Sequence, residues 1–71
     1  MIVRKGRVRN KIKDLRAARG LSQAALADAV GATRQTINAI EQEKYAPSLE
    51  LAFRIALAFD MAIEDVWSFK E

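Results

Sequence analysis

Arg34, Gln35, Thr36, Asn38 and Ala39 crowd into six positions and offer a guanidinium fork, two carboxamides, a hydroxyl and a methyl. A carboxamide gives and accepts in one plane, and a guanidinium donates along two parallel lines, so the set suits flat hydrogen-bonding edges. Bond breaking has little to work with elsewhere. Histidine and cysteine are absent, the carboxylates are scattered, and Ser22, Ser48 and Ser68 have no neutral base to activate them. Neither GxGxxG nor a phosphate-binding glycine loop occurs, and zinc would lack its nitrogen and sulfur ligands. The reading is a binding protein, not an enzyme, with no cofactor and no metal.

Two elements must position that cluster. Ile37 and Ile40, three residues apart, share one face of a helix and look inward, which turns Arg34, Gln35, Asn38 and Gln42 to the opposite arc with Ala39 beside them. Before it, Ser22 is a fitting N-cap for a short helix through Ala24, Ala25, Leu26, Ala27, Ala29 and Val30. Gly31 supplies the left-handed residue that ends this helix, and Thr33 caps the next one. So short a connection makes the two helices cross steeply, as in a helix-turn-helix.

Composition bounds the rest. With 71 residues the chain is expected to form one domain, and 51% hydrophobic residues with a single proline favour a folded helical protein. Without cysteine there is no disulfide, and no apolar run is long enough for a membrane span or signal peptide, so a cytoplasmic location is expected. Charge is divided unevenly: residues 1–20 carry a net +7 and the remainder −4. A basic end on an otherwise acidic domain is the footprint of a polyanion partner, whose phosphates release counterions on binding. A solubilising terminus is the plainer alternative.

The run LSQAALADAVGATRQTINAIEQEKYAPSLELAFRIA, residues 21–56, resembles the XRE-like class of Cro and phage-repressor helix-turn-helix regulators, and the likeness extends from about Asn10 to Trp67. The resemblance implies a compact all-α, five-helix, lambda-repressor-like domain whose third helix enters the major groove of double-stranded DNA, as a homodimer on a two-fold operator. Gln23 matches a position that meets phosphate or a base edge. Arg34, Gln35, Thr36, Asn38 and Ala39 match the reading positions and their neighbours, with Thr33 at their head. Lys44 matches a backbone-contacting cation. The family also pairs an arginine at position 16 with a glutamate at 41, implying a structural ion pair between Arg16 and Glu41. The chain departs from the pattern in three places: Gln42-Glu43 replaces Asn-Gly, Asp60 replaces a glycine, and Ala62 replaces a Ser or Thr cap.

Residues 1–9 read as a basic N-terminal arm, 10–67 as the helix-turn-helix domain and 68–71 as a C-terminal tail. The segment MIVRKGRVR suits either a flexible arm along the sugar-phosphate backbone or minor groove, or a strand pairing with its copy in a dimer; Gly6 interrupts the run and favours the arm. Asn10 is the expected cap of helix one, which Gly20 ends. Ser48 caps a fourth helix that is apolar nearly all round, so Phe53 and Leu57, beside Glu50, need a cover. Together with Trp67 and Phe69 they form the expected homodimer surface, against the alternative that the tail folds over Leu57 and Trp67 packs inward. The expected function is a DNA-binding transcriptional repressor; the alternative is an antitoxin-like or adaptor module using the apolar C-terminal face.

Overall fold

The structure, a computed structural model, describes residues 5–71. Five helices, α1 (Ile12–Ala18), α2 (Gln23–Val30), α3 (Arg34–Glu41), α4 (Leu49–Ala58) and α5 (Ile63–Val66), are flanked by strands β1 (Arg7–Asn10) and β2 (Trp67–Lys70). Local chemistry sets the helix starts. The hydroxyls of Ser22, Thr33 and Ser48 accept from the backbone amides of Ala25, Thr36 and Leu51, each three residues on. Ala62 occupies the same position before α5 without a side-chain bond, and that helix is only four residues long.

The ends of the first four helices close alike. Gly20, Gly31, Glu43 and Asp60 all take positive φ, at 63°, 73°, 61° and 55°. After each, the next amide reaches back five residues: Leu21 to Arg16, Ala32 to Ala27, Lys44 to Ala39 and Met61 to Ala56, at 2.9–3.0 Å. The two departures at Glu43 and Asp60 therefore keep the turn that glycine would make, with a side chain added.

The core draws on every helix: Ile12, Leu26, Ile37, Ile55 and Phe59 are fully buried, and Ile40 and Val66 nearly so. The Arg19 guanidinium lies 5.2 Å from the centre of the Phe59 ring and covers one side of it. Among the described residues, no helix is long and apolar enough to cross a membrane.

Residues 7–10 take the strand alternative and not the favoured flexible arm, but their partner is no second molecule: β1 runs antiparallel to β2 of the same chain, Arg7 opposite Lys70 and Asn10 opposite Trp67. The tail assigned to residues 68–71 is largely the other strand of this ribbon, and residues 1–4 lie outside the described part. Gly6 stands just before β1; a methyl group there would collide with the Lys70 carbonyl and stand 2.6 Å from the Phe69 ring, so glycine permits the close approach. Asn10 does not occupy the cap position of α1, which Lys11 takes, yet its Oδ1 accepts from the Ile12 amide at 3.2 Å. Its Nδ2 donates to the Ile40 carbonyl at 2.9 Å and moors β1 to the end of α3. Gly6→Ala should lower stability by about 1–3 kcal/mol through overpacking, read as a lower urea midpoint; an unchanged midpoint would mean that the strands do not meet there.

Candidate nucleic-acid interface

Helix α3 divides as its spacing predicts. Ile37 and Ile40 are buried at 0% and 1% exposure, whereas Arg34, Gln35 and Asn38 are exposed and line a shallow depression of about 310 Å³. Thr33 and Thr36 serve the helix start: beyond the cap bond, their hydroxyls lie 2.9 Å apart. Ala39 is half-buried beside them, and Lys44 is exposed just past the helix.

Beneath this surface lies a directed polar relay. Arg16 Nε and Nη2 donate to the two Glu41 carboxylate oxygens at 2.6 and 2.9 Å, and Nη1 donates to the Leu21 carbonyl at 3.0 Å. Glu41 also accepts from Gln23 Nε2 at 3.1 Å, and the same Nε2 donates to Asn38 Oδ1 at 3.1 Å. Gln42 Nε2 donates to that Oδ1 at 3.3 Å. An ionised carboxylate only accepts, so Glu41 fixes the flip of Gln23, which in turn holds the Asn38 oxygen inward. The Asn38 amide hydrogens are left to face outward. Gln23 thus does more than the resemblance implies: it couples the buried pair to the exposed arc.

The pair is well covered, with side-chain exposures of 15% for Arg16 and 5% for Glu41. Burial pushes the Glu41 carboxyl up, but the hydrogen bonds from Arg16 and Gln23 and the charges of Arg16 and Lys13 outweigh it, leaving the pKa below its ordinary value. Arg16 is raised, chiefly by its hydrogen bond to Glu41.

The remaining assigned residues lie apart from this arc. Leu57 is 74% exposed, beside Ala29, Gly31 and Arg54, so the tail does not fold over it. Phe53 is 48% exposed on the same helix. Trp67 packs partly against the core and its Nε1 donates to the Ala52 carbonyl at 3.4 Å, while Phe69 sits in β2 with Val8. Trp67 and Phe69 therefore belong to a strand, not to the fifth helix and a loose tail. Sequence reasoning missed Arg9, whose Nε donates to Glu43 at 3.0 Å; the signal was an acid standing at a left-handed position.

Because the Glu41 pKa is depressed, its contribution is present above the unfolded-state value near 4.5 and is lost as pH falls through the lower folded value. Urea unfolding between neutral pH and pH 3 should therefore show a decline that Glu41→Gln reduces, and an identical decline in that variant would remove Glu41 as its source. Arg16→Ala, which strands the buried carboxylate, should cost on the order of 3 kcal/mol at neutral pH.

Comparison with known proteins agrees with this geometry. A family model described as helix-turn-helix matches residues 12–66. The uncharacterized HTH-type transcriptional regulator YgzD of Bacillus subtilis is 52% identical over 64 residues, covering 90% of this chain and 97% of the relative. An uncharacterized HTH-type transcriptional regulator of Methanocaldococcus jannaschii is 48% identical over the same length and with the same coverage. A solved protein from Bacteroides fragilis shares the fold at a TM-score of 0.76 and 23% identity, covering 86% of this chain and 98% of that one. The chain belongs to the XRE-like helix-turn-helix family of regulators.

Proposed function

We propose that this protein is a sequence-specific DNA-binding transcriptional regulator, most simply a repressor, in which α3 enters the major groove. One observation carries the reading: the exposed arc of Arg34, Gln35 and Asn38 stands opposite the buried Ile37 and Ile40 and is anchored from below by the Glu41 relay. Gln35 has the donor and acceptor that match the N6 and N7 edge of adenine, and Arg34 forks to guanine or holds a phosphate. Asn38, with its oxygen engaged, addresses base acceptors. Ala39 and Thr36 offer methyl groups to thymine, Gln23 and Thr33 border the groove, and Lys44 meets the backbone. No catalytic step enters this scheme, and the cytoplasm is its setting.

The protein acts as a homodimer in this reading. Leu49, Phe53 and Leu57, spaced by four along α4, are 70%, 48% and 74% exposed and form an apolar stripe suited to a two-fold contact. Paired copies on a two-fold operator would present their reading helices about 34 Å apart, one turn of DNA. The stripe also favours a second reading, an antitoxin-like or adaptor module that binds another chain there. Light scattering separates the two: a stable dimer at micromolar concentration supports the operator scheme, and a monomer supports the adaptor.

Gln35→Ala should cost about 1–3 kcal/mol on the cognate duplex and relax preference at one base position, whereas Lys44→Ala should weaken every duplex alike. Equal losses on cognate and random duplexes for both variants would refute base reading by Gln35. Leu57→Glu should give a folded monomer with weaker operator affinity, and a dimer that survives it would place the contact elsewhere.

A further inference from the structure

Among the described residues, Lys5, Arg7 and Arg9 lie along one surface. Alternation along β1, with the observed register, puts Arg7 and Arg9 on the same side of the ribbon as their opposite numbers Lys70 and Ser68. That side opens into a broad depression of about 550 Å³ bordered by Lys5, Arg7, Arg9 and Lys70, with Glu43 and Glu71 also at its edge. Glu43 sits among the cations. Its carboxylate accepts from Arg9 Nε at 3.0 Å and lies 4.0 Å from Arg7 Nη1. The arginine side chains stay 71% and 52% exposed while that of Glu43 is 20% exposed.

We propose that this face of the β1–β2 ribbon is a second contact for duplex phosphates, and that Glu43 is the internal anion that occupies its arginines until a phosphate replaces it. The proposal rests on the DNA-binding reading above and adds a site that reading does not include.

Three observations favour a phosphate of the DNA that α3 faces. The ribbon is moored to that helix, since Asn10 Nδ2 bonds the Ile40 carbonyl. Glu43 follows α3 by two residues and adjoins the exposed Lys44, so the cationic face continues from the end of the reading helix. Glu43 also holds a left-handed backbone at φ 61°, which glycine would take at less cost. What glycine would lack is the carboxylate. A guanidinium fork matches phosphate oxygens as well as carboxylate oxygens, so Arg9 can exchange one for the other without moving the strand.

Salt titrations of duplex binding, on a selected site and on a random duplex, test the proposal. Replacing both arginines (Arg7→Ala with Arg9→Ala) should weaken both duplexes by the same factor and flatten the slope of log affinity against log salt by about two units. The Arg7→Lys, Arg9→Lys pair should restore the slope, which separates charge from any loosening of the strand. Glu43→Gln should tighten binding to both duplexes, up to about fivefold if the Arg9 pair behaves as an ordinary surface ion pair. Slopes unchanged in the alanine pair, or affinity unchanged in Glu43→Gln, would overturn the proposal. Loss confined to polyglutamate binding, with the duplexes untouched, would also overturn it and assign the face to an acidic protein. Failure of base reading leaves a different mark: the wild type would not prefer the selected site, while the random duplex would still report the ribbon's slope.

Discussion

A carboxylate almost wholly removed from water, at the last residue of a helix, is the constraint on which the arrangement depends. Glu41 is disfavoured by burial and again by its place at the negative end of the α3 dipole. Its charge is kept by Arg16, whose guanidinium forks onto both oxygens and uses its third nitrogen on the Leu21 carbonyl. One side chain thereby fixes the relation of α1, the turn before α2, and α3. Gln23 brings α2 into the same network and carries its polarity to Asn38. The exposed arc is held by electrostatics from below as well as by the packing of Ile37 and Ile40.

What was legible in the chain is what local chemistry decides. Ser22, Thr33 and Ser48 read as caps because a hydroxyl needs only an amide three residues away, and Gly31 reads as a stop because its conformation depends on its own missing Cβ. The inward isoleucines of α3 follow from helical spacing alone. Pairing of Arg16 with Glu41 was available only through family resemblance, since the spacing of two charges 25 residues apart says nothing about their meeting.

The ribbon escaped for the same reason at larger scale. Loose alternation left a strand open as one reading of residues 1–9, but a strand so short cannot name its partner, which lies at the other end of the sequence. Gly6 carries no mark of a close approach in the sequence; only the position of Lys70 and Phe69 shows it. Trp67 and Phe69 read as helix and tail because α5 is too short for its end to show as a change of period. Glu43 and Asp60 were visible as departures, but that they would keep a glycine-like turn was fixed by the helix ends they close.

Joining residue 7 to residue 70 gives the ribbon a folding role unlike that of the helices. Closing so long a span costs entropy that no local contact repays, so these strands are expected to zip last during folding and part first in native fluctuations. They can come undone while the helical core stays shut, because the helices do not rely on strand pairing for their own hydrogen bonds. Amide hydrogens along this seam would then exchange with solvent sooner than those around Ile37 and Ile55, making the two strands a latch on a body that is already assembled.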